Sequence, residues 1–265
     1  MSMLERSMQV IAPMGRHIEA FLNSPATLHG VEDGVTVAAR AARGADHVVL
    51  VAGYSSFPEY LEPLRRTLIA DGYAVHIATI PQNGLGDART AADLIPGLVD
   101  AIRTTDREAA IHLVGHSRGG MIARDAMVRH FEPGEIDSLI VLGSPQNGVR
   151  VPSQSMAKAR IMDLLMPQSR LQLLEGSDYV QSLRARPLHD DGAHLASIYV
   201  NRFDGAVRPR EAHVSEQGWR NIAVEVPGPM PHVRMMTNDS ATYRQLATEL
   251  EMSRSAKQHA AAAVA

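Results

Sequence analysis

The clearest pattern in the chain is a series of short apolar runs separated by stretches with the period of a helix. A run without polar alternation is typical of a strand whose two faces are both covered. Six runs predict six strands: His47–Tyr54, Ala74–Ile80, Ile111–Val114, Asp137–Gly143, Leu195–Val200 and Asn221–Val226. Their alternation with helical stretches predicts βαβ units, and therefore a mostly parallel central sheet with helices on both faces.

The helical stretches begin and end at recognisable residues. One places Leu61, Leu64 and Leu68 on one side and stops at Gly72. Another starts at the candidate N-cap Asp87 and is predicted as a single helix kinked at Pro96. A last helix is predicted from about residue 240 to residue 252.

The remaining segments divide the chain into an α/β core and its additions. The core spans residues 45–145 and 195–256, preceded over 1–44 by a helical arm with an edge strand or hairpin. Residues 146–194 hold three apolar helical patches and predict a small helical cap, which either covers an acyl pocket or packs as ordinary helices on the sheet. Residues 257–265 are alanine-rich and are predicted to be disordered.

Composition narrows the classes of partner and compartment. The 265 residues are 45% hydrophobic, which suits one α/β domain with an insertion. The net charge of −3 and the lack of a basic run argue against nucleic acid as a partner. The chain has no cysteine, no secretory n-region followed by an apolar core, and no apolar run long enough to span a membrane, so we expect a cytoplasmic protein.

The strongest chemical motif follows the third predicted strand. Gly115-His116-Ser117-Arg118-Gly119 has the form G-x-S-x-G between a strand and a helix, the context in which a serine hydroxyl is exposed at a sharp turn above a sheet. The motif occurs by chance elsewhere, and a glycine-rich turn with an exposed serine is the alternative. The catalytic interpretation requires partners for the serine elsewhere in the chain, whereas the glycine-rich turn does not.

A serine hydroxyl attacks a carbonyl only when a base takes its proton and a third group orients that base. The order Ser…Asp…His selects Ser117, Asp204 and His232, because the latter two follow successive predicted strands and reach the same edge of the sheet. Of the 12 histidines, His116 is expected to point away from the base position. The other rivals, in cap or loop regions, are His189, His194 and His213 as bases and Asp190, Asp191 and Asp239 as acids.

Two backbone N–H groups are expected to bind the negative oxygen of a tetrahedral intermediate. They belong to Arg118, the residue after the serine, and to Tyr54, in the loop after the first strand. The candidate substrate-pocket side chains are Ser55, His116, Met162 and Leu165.

Several of these segments together resemble the bacterial lipase/esterase branch of the α/β-hydrolase superfamily. The resemblance is carried by the 49–54 strand, Gly115–Gly120, Leu142-Gly143-Ser144-Pro145, the 174–180 cap segment, and the stretches around Asp204 and His232, over about residues 45–252. It implies an α/β-hydrolase fold, a carboxylic ester hydrolase with a serine nucleophile, and no cofactor or metal. The family usually has His-Gly where this chain has Ala52-Gly53, so the backbone donor is kept and the hydrogen bonds of that histidine are lost.

Three functional hypotheses follow. The first is a hydrolase that cleaves a small-molecule acyl ester or thioester through an acyl-enzyme on Ser117. The second gives the acyl group to an alcohol or amine, as a releasing thioesterase, acyltransferase or cyclase of secondary metabolism does. The third is a ligand-binding homologue without activity. For the N-terminal arm, three alternatives are expected: it packs on the domain, it forms a homodimer contact, or it borders a substrate entrance.

Overall fold

The structure is a computed structural model that describes residues 44–54, 58–78, 80, 82, 85–150, 168–188, 192–236 and 240–264. The predictions for the N-terminal arm, for Ser55, and for Met162 and Leu165 lie outside these residues. So do the rival residues His189, Asp190, Asp191 and Asp239.

A six-stranded parallel sheet forms the centre of the described chain, with the strand order β2-β1-β3-β4-β5-β6. All six strands lie where apolar runs predict them. Their bounds are β1 His47–Val51, β2 Ala74–Ala78, β3 Ile111–His116, β4 Ser138–Leu142, β5 His194–Val200 and β6 Trp219–Val224. Since all strands run the same way, their carboxyl ends meet at one edge, where ligands of such sheets bind.

Nine α-helices surround or border the sheet in the described residues, and a short 3₁₀ turn covers Pro58–Leu61. The helices are α1 Glu62–Ala70, α2 Ala88–Ala92, α3 Ile95–Thr105, α4 Arg118–His130, α5 Gln168–Leu171, α6 Asp178–Arg184, α7 Pro209–Ala212, α8 Pro231–Arg234 and α9 Ser240–Val264.

Two helices replace the single kinked helix predicted after Asp87. The Asp87 carboxylate caps α2 as predicted, accepting the N–H groups of Arg89 and Thr90. The helix then stops, and α3 begins with Pro96 in its first turn. Proline is tolerated there because a first-turn N–H has no helical partner, whereas inside a helix it would remove a hydrogen bond.

Apolar side chains cover both faces of the sheet, as the continuous runs predict. Alternate strand residues such as Val49 and Leu113 pack against α2, α3, α4 and α6 on one face. Their neighbours Val48 and Val114 pack against α1 and α9 on the other. The sheet is therefore a middle layer between two helical layers.

The described part of the predicted cap packs against the core. Tyr179, Val180 and Leu183 on α6 are buried with core residues of α4, and the Tyr179 hydroxyl donates to the Met121 carbonyl at 3.2 Å. For this helix the structure favours ordinary packing on the sheet over the lining of an acyl pocket. The patch that contains Met162 and Leu165 lies outside the described residues.

The final helix is longer than predicted. It continues through the alanine-rich tail to Val264, so residues 257–264 are helical where the sequence predicts a disordered segment over 257–265. Alanine has the highest intrinsic helix propensity, so the tail extends a helix that tertiary contacts have already nucleated. Those contacts include Glu249 with His194 at 2.7 Å and Arg254 with Asp46 at 2.7 Å.

Two buried histidines lie side by side on β1 and β2. The Nδ1 atom of His47 is 2.9 Å from Nε2 of His76, and the rings stack with centroids 5.1 Å apart. Burial, and secondarily the proximity of His47, lowers the pKa of His76 to about 4, while burial also lowers the pKa of His47. Both rings are therefore neutral near pH 7.

Candidate active site

Ser117 forms a strained turn between β3 and α4. Its backbone has φ 53° and ψ −126°, which an L-residue rarely adopts, and its N–H donates to the Leu142 carbonyl at 2.9 Å. Such strain is typical of a nucleophile that must be exposed above a sheet. The turn is therefore held in place by the end of β4.

Glycines allow α4 to start this close to the sheet. A Cβ on Gly119 would lie 2.2 Å from the Val51 carbonyl oxygen, and one on Gly115 would lie 2.4 Å from the Gly120 Cα. Contacts this short are impossible for any side chain, so the G-x-S-x-G spacing is a steric requirement here. The N-terminus of α4 is consequently pressed against the end of β1.

The structure brings Asp204 and His232 together. Oδ2 of the buried Asp204 is 2.7 Å from His232 Nδ1, and the His232 N–H donates to the Asp204 carbonyl at 3.1 Å. The other carboxylate oxygen, Oδ1, accepts the N–H groups of Ala206 and Val207 at 2.8 and 2.6 Å. Because the carboxylate accepts a hydrogen bond from the Nδ1–H group, the neutral His232 ring leaves Nε2 as its basic nitrogen.

The end of β4 contacts both parts of the site. Leu142 accepts the Ser117 N–H, and the next residue, Gly143, has a positive φ of 53°. A Cβ on Gly143 would lie 3.3 Å from His232 Nδ1 and 3.5 Å from Asp204 Oδ2. The serine turn and the acid–base pair are thus adjacent at one edge of the sheet, and the missing side chain of Gly143 makes room for the pair.

His116 lies against His232, so the prediction that it points away from the base position was wrong. Its ring centroid is 4.6 Å from that of His232, and its Nε2 is 2.9 Å from the His232 carbonyl oxygen. The side chain is buried, and this burial lowers the pKa of His116 well below its ordinary value. Sequence reasoning missed the contact because it depends on where a loop 116 positions further along returns to the sheet.

The predicted oxyanion N–H groups belong to the loop after β1 and to the start of α4. A Cβ on Gly53, the residue before Tyr54, would lie 3.0 Å from the Ser117 Cβ. Arg118 is the first residue of α4 and directly follows Ser117 in the chain. The loop after β1 and the start of α4 therefore flank the serine.

A polar network joins Arg118 to the segment after α5. One nitrogen of its buried guanidinium donates to the Gly86 carbonyl at 2.6 Å and to Gln172 Oε1 at 3.0 Å. Gln172 Oε1 also accepts the Ala88 N–H at 2.9 Å, and its Nε2 donates to Asp87 Oδ2 at 2.5 Å. Gln172 thus connects the α4 start with the loop before α2, a role that no sequence motif signals.

The remaining candidates are placed elsewhere, and two apolar residues at the site were missed. His194 is hydrogen-bonded to Glu249, while His213 is exposed and lies edge-on to Tyr199 with ring centroids 6.4 Å apart.

The missed residues are two exposed apolar side chains. Phe203 is 53% exposed and lies one position from Asp204, and Met230 is 60% exposed and lies two positions from His232. Exposed large apolar residues beside a polar pair mark a surface that can bind apolar groups.

The described residues contain no group of three or more histidine, aspartate or glutamate side chains placed to hold a metal ion. Within the same parts of the chain, no helix combines the length and apolarity needed to cross a membrane.

Comparison with known proteins identifies a family and a fold. A family model described as palmitoyl protein thioesterase matches residues 48–186. No curated protein sequence matches the chain.

Solved structures share the fold at low sequence identity. The mature lipase BlEst2 of Bacillus licheniformis is 15% identical with a TM-score of 0.60, over 76% of this chain and 90% of that one. The α/β hydrolase MGS-MChE2, from a metagenome of Mar Chica lagoon sediments in Morocco, is 18% identical with a TM-score of 0.54, over 80% and 92%. Lipase B of Aspergillus fumigatus is 19% identical with a TM-score of 0.54, over 69% of this chain but only 45% of that one. These likenesses show the α/β-hydrolase fold.

Proposed function

The chain belongs to the palmitoyl protein thioesterase family, and from that membership we propose that it hydrolyses acyl thioesters or esters through a Ser117–His232–Asp204 triad. The single observation that best supports the triad is the hydrogen bond of 2.7 Å between Asp204 and His232, formed beside the strand end that holds Ser117. A serine nucleophile, a base oriented by a third group, and donors for the oxyanion are the parts that acyl transfer of this kind requires.

The first half of the reaction forms an acyl-enzyme. His232 Nε2 takes the proton of Ser117 Oγ while that oxygen attacks the substrate carbonyl carbon. The N–H groups of Tyr54 and Arg118 bind the resulting oxyanion. Collapse of the tetrahedral intermediate breaks the bond to the thiol or alcohol, and His232 returns the proton to that leaving group. Asp204 keeps the proton of His232 on Nδ1 and stabilises the imidazolium.

The second half releases the acyl group. Water takes the place of the leaving group, His232 removes its proton, and attack on the acyl-Ser117 carbonyl forms a second tetrahedral intermediate. Its collapse gives a carboxylic acid and restores the Ser117 hydroxyl. The buried Asp204 fits this cycle because its second oxygen is occupied by two backbone N–H groups, which hold the carboxylate in one orientation throughout.

The family match favours a thioester over an oxygen ester as the physiological substrate class, since a thioesterase is what the matched family model describes. Exposed Phe203 and Met230 beside the acid and base support an apolar acyl chain. Transfer of the acyl group to an alcohol or amine uses the same residues, so the acceptor is a separate question for the experiment below.

Covalent labelling tests the mechanism directly. We expect a fluorophosphonate probe to modify the wild-type protein and to leave Ser117→Ala unlabelled. Ser255→Ala, on the remote helix α9, is the matched control and should label normally. His232→Ala should lose turnover, and His213→Ala, which removes a rival base, should keep it. Labelling of Ser117→Ala, or full turnover by His232→Ala, would show that the triad is assigned wrongly.

Substrate class is tested with pairs of compounds that share an acyl chain. Each nitrophenyl ester is compared with the N-acetylcysteamine thioester of the same length, and product acid is measured with and without an added alcohol or amine. We expect a higher kcat/KM for the thioester at the preferred chain length and free acid as the product. Acyl transfer to the added acceptor would favour the transferase hypothesis. Failure to label or to turn over any pair would favour the ligand-binding homologue.

A further inference from the structure

We propose that His116 is a positioning residue that holds the base His232 at the reactive edge of the sheet, by donating a hydrogen bond to the His232 backbone carbonyl. This inference rests on the proposed function, because it assigns His116 a part in the same acyl transfer. It differs from the assignment of His116 as a residue of the substrate pocket, since the side chain is only 3% exposed and faces the base.

Three hydrogen bonds fix His232, and His116 supplies one of them. Asp204 makes the other two, with its carboxylate to Nδ1 at 2.7 Å and with its backbone carbonyl to the His232 N–H at 3.1 Å. Both bonds hold His232 to its own acid. The bond of 2.9 Å from His116 Nε2 to the His232 carbonyl connects it to the strand that carries the nucleophile.

The chemistry of the contact determines the tautomer of His116. A carbonyl oxygen only accepts hydrogen bonds, so Nε2 of His116 carries the proton and Nδ1 of the neutral ring is unprotonated. Nδ1 is buried and has no hydrogen-bond partner among the described residues, which matches a nitrogen without a proton to donate. Burial and the neighbouring His232 lower the pKa of His116 well below its usual value, so the ring stays neutral while His232 gains and loses its proton.

His116 has little freedom to move. A Cβ on Gly53 would lie 3.3 Å from His116 Nδ1 and 3.2 Å from its carbonyl oxygen, so the loop after β1 closes on one side of the residue. The His232 ring closes on another side, with centroids 4.6 Å apart and planes inclined at 47°. Because His116 directly precedes Ser117, its hydrogen bond ties the backbone of His232 to the end of the strand from which the nucleophile projects.

Placement matters because proton transfer needs the base within hydrogen-bond reach of the serine oxygen. A misplacement of about 1 Å costs on the order of 10²-fold in rate. His116 does not touch substrate or accept the reacting proton in this scheme, so its loss should lower kcat and leave substrate binding nearly unchanged.

The test separates the hydrogen bond from the volume of the side chain. His116→Gln keeps an N–H donor at the reach of Nε2, and His116→Leu keeps apolar volume without a donor. We expect His116→Leu to lower kcat about 10²-fold with KM nearly unchanged, and His116→Gln to recover most of kcat. Unfolding temperatures of the two variants are measured beside the kinetics, so that global destabilisation is seen separately.

A spectroscopic measurement tests the contact independently of turnover. The proton on His232 Nδ1, which is hydrogen-bonded to Asp204, is followed by proton NMR in the wild type and both variants. We expect its signal to broaden through faster exchange in His116→Leu and to persist in His116→Gln. Wild-type kcat and an unchanged signal in His116→Leu would overturn the proposal, as would equal losses in the two variants, which would indicate ring packing alone. If the wild type neither labels nor turns over, the proposed function fails, and the NMR comparison still decides whether His116 holds His232.

Discussion

The carboxylate of Asp204 and the imidazole of His232 lie 28 positions apart in the chain and share a hydrogen bond of 2.7 Å. Each follows a different strand, β5 or β6, and they meet because parallel strands end at the same edge. In the proposed mechanism the carboxylate selects the tautomer of His232 and stabilises its cation, so we expect activity to depend on this pair.

Asp204→Asn is expected to lower kcat by about 10⁴-fold while the protein remains folded, because an amide can donate to Nδ1 and so favours the inactive tautomer. Steady-state kinetics with the preferred acyl thioester or ester measure the effect. Asp100→Asn, an exposed position on α3, is the control and should keep wild-type kcat. An Asp204→Asn variant with more than a tenth of the wild-type kcat would exclude Asp204 as the acid.

Gly143→Ala is expected to reduce both stability and kcat. The new methyl group would lie 2.9 Å from Met235 Sδ and 3.3 Å from His232 Nδ1, at a residue whose φ is 53°. The left-handed backbone alone costs about 1–2 kcal/mol, and the contact displaces the acid–base pair. Gly134→Ala is the matched control, since it also has a positive φ of 87° but open space around it.

Urea unfolding and kcat are measured for both glycine variants. Gly134→Ala should lose stability only. If both variants lose stability equally and keep full activity, the close approach of Gly143 to the pair has no catalytic significance.

The stability of the fold is expected to fall as the pH drops from about 6.5 to about 4. In the folded state the pKa of His76 is lowered to about 4 from an ordinary 6.5, so within this interval the unfolded chain binds the proton more readily. The stabilisation is complete above the unfolded pKa and is lost as the pH falls through the folded pKa. Over the whole interval the effect is on the order of 3 kcal/mol.

Urea unfolding at pH 7 and pH 5 measures this dependence, and His76→Leu removes the titrating ring. The variant should have a shallower dependence, reduced rather than abolished because the pKa values of His47 and His116 are lowered in the same direction. His213→Gln, at an exposed position with no ion pair among the described residues, is the control and should keep the wild-type slope. An unchanged slope in His76→Leu would contradict the prediction.

Gln172→Leu is expected to destabilise the protein by about 1–3 kcal/mol, because Arg118 loses a buried acceptor and the Ala88 N–H loses its partner. Gln181→Leu removes an exposed amide that donates to the Gly176 carbonyl, and should cost far less. Chemical denaturation of both variants gives the comparison. Equal losses would mean that the Gln172 network adds nothing to stability.

The sequence predicts the sheet and the serine turn well for a physical reason. A strand covered on both faces must be apolar along its length, so β1, β3 and β4 can be recognised in the sequence as continuous apolar runs. The close approach of α4 to the sheet requires glycine at positions 115 and 119. The proposed acid and base follow from chain order and strand ends alone, and the structure brings those two residues into contact.

The other contacts at the site cannot be predicted from the sequence, because they join residues whose proximity depends on the path that loops take back to the sheet. Neither the His116–His232 contact nor the Gln172–Arg118 bond has a local signal. The break before α3 does have a local signal, because proline is favoured at the start of a helix. The helical spacing of apolar residues nevertheless continues across the break and hides the boundary. The helical tail also reflects tertiary anchoring at Glu249 and Arg254.

The parallel sheet separates two kinds of sensitivity in space. The proposed reaction takes place where the strands finish, whereas the stacked His47 and His76 lie on β1 and β2, with His47 at the opposite end of β1 from the serine turn. A protein engineer seeking an acid-tolerant catalyst could therefore redesign that histidine pair alone. The part of the acid sensitivity that comes from His47 and His76 would then be adjustable without altering the proposed triad, while the part that comes from His116 would remain.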